Sequence, residues 1–138
     1  MSLPQDLDAR DYYRSAQGWL ADATFMLREA NRSRAAVYLA GYTVECLLKA
    51  LILSHVPRKK REELKKRRDF LTHDLLALKA LYLSHHGFSF PKSVASDLVE
   101  VSSWDPASRY RPGPIKYQYA DAFLQAVERI SLWADGRL

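Results

Sequence analysis

Ser33-Arg34-Ala35-Ala36-Val37-Tyr38-Leu39-Ala40-Gly41-Tyr42-Thr43-Val44-Glu45-Cys46-Leu47-Leu48-Lys49-Ala50-Leu51-Ile52-Leu53-Ser54 decides the fold of this chain. Val37, Leu39, Ala40, Val44, Leu47, Leu48, Leu51 and Ile52 cover most of the circumference of a helix, which suits the buried centre of a helical protein. Ser33 is a suitable N-cap for it. Glu45 and Lys49 interrupt the apolar run, so a membrane span is not expected, and no apolar segment follows a basic start as in a signal peptide.

Outward from that helix the period stays helical. From Asp6 to Asn31, Tyr12, Ala16, Trp19, Leu20, Ala23, Met26, Leu27 and Ala30 recur every three to four residues. Beyond Pro57, Thr72 is a good N-cap, with Leu71 and Leu76 placed for a hydrophobic staple and Asp74 placed to favour the helix dipole. That helix should run to His86 and stop at Gly87. Pro91 suits the first turn of a helix carrying Val94, Leu98 and Val101, ending before Asp105-Pro106. A Ser108–Pro114 loop follows, and from about Tyr117 a last helix aligns Phe123, Ala126, Val127, Ile130 and Trp133, with Gly136 just past its end. No segment sustains strand alternation. The expectation is an all-α bundle of about five helices, formed as a single domain by residues 1–138.

A composition of 48% hydrophobic and 27% charged residues is that of a folded globular protein. The only cysteine, Cys46, has no partner for an internal disulfide and reads as a small buried hydrophobe, consistent with the reducing cytoplasm. Charge is distributed unevenly. Between Pro57 and Asp69, Arg58, Lys59, Lys60, Arg61, Lys65, Lys66, Arg67 and Arg68 face only Glu62, Glu63 and Asp69, a net of +5 that equals the charge of the whole chain. This basic linker or short helix at about 57–69 can attract a polyanion, or can be a solvated connection.

No Gly-rich phosphate loop, Ser-His-Asp order or paired-carboxylate motif is visible. His85 and His86 are adjacent, point about 100° apart on a helix and have no ligand at metal spacing, so neither a metal nor a cofactor is expected. Their better role is a charge interaction with a helix C-terminus.

Three local patterns together resemble a known family. The helix Tyr42-Thr43-Val44-Glu45-Cys46-Leu47-Leu48-Lys49 carries an acid and a lysine four apart, His73-Asp74-Leu75 with Leu78 follows a variable linker, and Arg109-Tyr110 lies in a Pro-rich turn. In that order the chain is similar to the HEPN family of prokaryotic helical domains over nearly its whole length, from about Asp11 to Trp133. The resemblance implies an up-and-down bundle of four to five helices, usually a homodimer. It further implies association with a minimal nucleotidyltransferase-family protein, a toxin-antitoxin or defence setting, and RNA or nucleotides as what the domain meets. Some members are metal-independent ribonucleases. Their motif, an Arg followed by a His four to six residues later, is met formally by Arg68 and His73, although in those members it tends to sit nearer the last helices.

The candidate residues therefore fall into three sets. Arg68 and His73 are the candidate catalytic pair, the Arg clamping a phosphate and the His moving a proton. Glu45, Lys49, Asp74, Arg109 and Tyr110 form a candidate polar cluster, structural or ligand-binding. In it Glu45, drawn inward by an apolar helix, needs a partner such as His73, Arg109 or Tyr110. Arg58, Lys59, Lys60, Arg61, Lys65, Lys66 and Arg67 are the candidate polyanion contacts. A binding module, a ribonuclease and a non-catalytic dimeric interaction protein are the alternatives these sets leave.

Overall fold

The structure, a computed structural model, describes residues 3–138 except Gln5 and Phe88, and the backbone alone of Arg109. Among the described residues there are six α-helices: α1 (Leu7–Arg28), α2 (Ser33–Leu53), α3 (Arg58–Leu64), α4 (Leu75–His86), α5 (Lys92–Val101) and α6 (Tyr117–Asp135). A 3-10 turn, Pro106–Tyr110, precedes α6, and there is no strand among the described residues. The chain is thus all-α. The sixth helix beyond the expected four to five is the basic stretch itself: its Lys, Arg and Glu residues have high helix propensity, and buried Leu64 fastens it.

Helix α2 lies at the centre, packed against α1, α4, α6 and the 3-10 turn. It is long and apolar enough to cross a membrane by length and composition, but 15 of its 21 residues are buried by the surrounding helices. Its apolar circumference is therefore used against protein on nearly every side, which is how a helix with a weak polar face becomes a core helix. Asn31, at φ 51°, turns the chain from α1 into α2 in the left-handed conformation that Asn tolerates better than most residues. Gly87, at φ 66°, does the same at the end of α4. Side-chain bonds add orientation: the Tyr13 hydroxyl donates to Asp135 at 2.7 Å, joining α1 to α6. Arg129 grips buried Asp97 through two bonds, at 3.0 and 2.9 Å, joining α6 to α5.

Three start signals differ from expectation. Ser33 is the first helical residue, and the N-cap is Arg32, whose side chain makes no cap bond. Asp74, not Thr72, caps α4: its carboxylate accepts from Leu76 N and Ala77 N at 3.0 and 3.2 Å, while Thr72 Oγ1 accepts from Asp74 N. A carboxylate caps with charge as well as a lone pair, so moving the start by two residues is favourable. Leu71 and Leu76 stay largely exposed, so the staple does not form. Pro91 is likewise the cap of α5 rather than a first-turn residue.

Candidate functional site

Glu45 and Lys49 share one face of α2, and both are buried, at 6% and 7% exposure. They lie in the middle of the core helix, where an unpaired charge would cost several kcal/mol, and each meets a partner. Glu45 Oε2 accepts from Lys49 Nζ at 3.2 Å, and Glu45 Oε1 accepts from His73 Nδ1 at 2.6 Å. Lys49 is further enclosed by the rings of Phe70 and Tyr12, 5.5 and 5.9 Å from Nζ, at a distance suited to cation–π attraction. Burial, then the neighbouring Cys46 and Glu45, raise the Tyr12 hydroxyl above its ordinary range.

The position of His73 follows from its neighbours in sequence. Phe70 is fully buried and meets Tyr12 edge-on at 5.8 Å, which pins the α3–α4 connection onto α1 and α2. Asp74 then fixes the first turn of α4. Between these anchors His73 is held over Glu45 with its side chain 60% exposed. A carboxylate at Nδ1 selects the tautomer whose lone pair is on Nε2 when the ring is neutral, and an N–H donor at both nitrogens when it is protonated. The imidazole is therefore fixed by a buried acid on one side and open to solvent on the other, an arrangement suited to contacting a phosphate or exchanging a proton.

Aromatic rings continue from this point along α2. Tyr42 lies edge-on to His73 at 6.2 Å and to Trp104 at 4.9 Å, and Tyr38 and Trp19 lie against Tyr42 at 5.3 and 5.5 Å. Trp104 donates Nε1–H to Tyr38 O at 3.1 Å and lies flat against Gly41, where a Cβ would fall 2.0 Å from the ring. Sequence reasoning missed Gly41, Tyr42 and Trp104 as parts of this region. The available signal was a glycine within an apolar helix, which costs about 1 kcal/mol unless close approach needs it.

The other candidate residues are dispersed or used elsewhere. Arg68 is exposed, and among the described residues no hydrogen bond or ion pair joins it to His73 or to any other side chain. Asp74 serves as a cap, Tyr110 is 75% exposed on the 3-10 turn, and the side chain of Arg109 lies outside the described residues. Within the basic stretch, Arg61 pairs with Asp6 at 2.7 Å, Lys65 with Asp8 at 2.8 Å, and Arg67 with Asp69 at 2.8 Å. Arg58, Lys59, Lys60, Lys66 and Arg68 remain exposed without an ion pair among the described residues, so the positive field has five open members rather than eight. Cys46 is buried, and burial with the adjacent Glu45 pushes its thiol up to about 12, which removes it as a nucleophile. Among the described residues no group of three or more His, Cys, Asp or Glu side chains could hold a metal ion. Comparison with family models, with curated proteins and with solved structures found no match.

Proposed function

We propose that this chain is a HEPN-like helical bundle that binds RNA or a nucleotide, acting as a cytoplasmic homodimer beside a nucleotidyltransferase-type partner in a toxin-antitoxin or defence setting. The observation that carries the reading is the exposed His73 imidazole held at Nδ1 by buried Glu45. When protonated it donates to a phosphate from Nε2, and the open cations Arg58, Lys59, Lys60, Lys66 and Arg68 supply the longer-range attraction.

The same His73 geometry favours one second reading, metal-independent RNA cleavage. There the neutral Nε2 takes the 2′-hydroxyl proton, the 2′-oxygen attacks the adjacent phosphorus to form a 2′,3′-cyclic phosphate, and the P–O5′ bond breaks as the 5′-oxygen takes a proton from water. Arg68 would hold the phosphate oxygens as charge builds on them.

Short labelled RNA, incubated in EDTA and titrated at two salt concentrations with wild type and with His73→Ala, separates these readings. Binding that falls steeply with salt and weakens in His73→Ala, with the RNA intact throughout, supports the binding module. Cleavage that disappears in His73→Ala supports the ribonuclease. RNA neither bound nor cut overturns both and leaves the non-catalytic interaction protein.

A further inference from the structure

A cavity of about 380 Å³ opens where the ends of α2, α4 and α6 meet the start of α5, at the lower end of the roughly 300–1,000 Å³ range of small-molecule sites. Neither His73, Glu45 nor any cation of the basic stretch lines it, and no Asp or Glu does. Buried Leu51 and Tyr82, half-buried Trp133 and exposed Pro91 give it apolar walls. Tyr82 meets Trp133 edge-on at 6.4 Å and stacks on His86 at 4.8 Å. His86 in turn donates from Nε2 to Ile52 O at 3.1 Å, so these rings are held in place.

The polar groups of this wall lack acceptors. The Trp133 Nε1–H is buried and has no hydrogen-bond partner among the described residues. The Tyr82 hydroxyl has none among them either, although the residue is only 5% exposed. Native interiors seldom leave such groups unpaired, and each one requires an explanation. Burial raises the Tyr82 hydroxyl above its ordinary range, and the positive charge of Arg137 opposes part of that rise. The Arg137 guanidinium lies over the Trp133 ring at 5.6 Å. Its side chain makes no hydrogen bond or ion pair among the described residues. Stacking uses a face of the guanidinium and leaves free the N–H edge that grips carboxylates through two bonds. His55, in the left-handed region at φ 64°, donates from Nε2 to Arg137 O at 3.3 Å, which ties the chain there to the end of α2.

We infer that this cavity binds a small monocarboxylate with an apolar tail, its carboxylate on the Arg137 guanidinium and the Tyr82 hydroxyl and its tail against Pro91 and Trp133. An ionised carboxylate only accepts hydrogen bonds, which is what a wall of unpaired donors lacks. Its charge meets Arg137 and is repelled by no acid in the lining. The site stands apart from His73 and does not depend on RNA binding there.

The test is titration of the full chain at pH 7 with benzoate and hexanoate, and with benzyl alcohol and acetate as the tail and the head alone, followed by calorimetry and thermal unfolding. Saturable binding of at least one of the two acids is expected, the tighter of them showing whether the tail is flat or linear. Benzyl alcohol and acetate should each be weaker by about tenfold or more, for the lost charge-assisted contact or the lost apolar burial. Arg137→Gln, at an exposed position beyond α6, should weaken the acid by about tenfold, and Arg137→Lys by less, because it keeps the charge without the fork. Tyr82→Phe is the sharpest variant. It removes a hydroxyl without a partner, so the unfolding temperature should stay the same or rise, while acid binding should weaken by about tenfold. A structural hydroxyl would give the opposite pair of results. His73→Ala should leave acid binding as it was, so failure of the RNA reading and failure of this one are distinguishable. The proposal is overturned by no saturable binding of either acid up to roughly 1 mM, the weak end of specific recognition. Acetate as tight as both acids, affinity unchanged in both Arg137→Gln and Tyr82→Phe, or binding lost in His73→Ala overturns it equally.

Discussion

Glu45, buried on α2, accepts a 2.6 Å hydrogen bond from His73, 28 residues further along the chain, while its other carboxylate oxygen accepts from Lys49. One acid thus neutralises a buried lysine and orients an exposed histidine. The two jobs are separable, because Lys49 is enclosed and His73 is not. Glu45→Ala should cost about 3–5 kcal/mol in urea unfolding at pH 7, since it leaves Lys49 buried without its counter-charge. Glu45→Leu with Lys49→Met should recover most of that loss, because replacing both members with apolar groups removes the desolvation penalty along with the attraction. His73→Ala should cost only about 1 kcal/mol, that of one partly exposed hydrogen bond. A large loss of stability in His73→Ala would show that the histidine is structural and would undercut its role toward RNA.

Gly41 sits under the face of Trp104, and a methyl group there would stand 2.0 Å from a ring carbon. Gly41→Ala would ordinarily stabilise a helix by about 1 kcal/mol. Here the expected sign is reversed, because Trp104 must leave its seat, lose its bond to Tyr38 O and open a gap against Tyr42. A net loss of about 2–4 kcal/mol is expected, in the range of overpacked and cavity-forming core changes. The tryptophan emission of the folded variant should shift to the red. An increase in stability would mean that Trp104 does not occupy this position.

Much of the architecture is legible in the sequence because it depends on periodicity. The centrality of α2 follows from apolar residues on nearly every side, and the end of α4 follows from Gly87. Glu45 was also readable as a residue needing a partner, and His73 as one of the residues able to supply it. Caps were less legible: Thr72 and Asp74 are both good caps two residues apart, and only the placement of Phe70 in the core decides between them. Trp104 was invisible as part of the site because its contacts with Gly41 and Tyr38 cross more than sixty positions of sequence. The basic stretch showed its net charge but not its pairing, since Asp6 and Asp8 approach it only once α1 has folded beside α3.

Alkaline pH should weaken the fold through two buried groups. Burial, aided by the bond to Asp135, raises the Tyr13 hydroxyl from 10.0 to about 12, and burial raises the Cys46 thiol from 9.0 to about 12. In the unfolded chain each loses its proton at its ordinary value, while the folded chain retains it. The unfolded state therefore binds fewer protons in this window, and stability falls as pH rises. The contribution should be fully present below pH 9 and lost between about 9 and 12, with a share of about 2–3 kcal/mol for Tyr13. Tyr13→Phe should be less stable at pH 7 by about 1 kcal/mol, for the lost hydrogen bond, but should show a shallower alkaline decline. Parallel stability curves for wild type and Tyr13→Phe between pH 9 and 11.5 would contradict the assignment.

The cations at 58–68 should divide into those that hold the fold and those that do not. Arg61 pairs with Asp6, the residue that caps α1 through Ala9 N, and donates to Val56 O at 2.7 Å. Its side chain is 19% exposed and that of Asp6 10%, so water screens the pair only in part. Arg61→Ala should lower stability by about 1–3 kcal/mol, because it removes the ion pair to Asp6 and the charge-assisted bond to Val56 O and loosens α3 from the start of α1. Lys59→Ser and Lys60→Ser, exposed and without an ion pair among the described residues, should stay within about 0.5 kcal/mol of wild type. Chemical denaturation at low and high salt checks the division. Adding salt should narrow the difference between Arg61→Ala and wild type only slightly, since partly buried pairs are poorly screened, and should leave the two lysine variants where they are. Equal losses at Arg61, Lys59 and Lys60 would mean that α3 is not fastened to α1 by this ion pair.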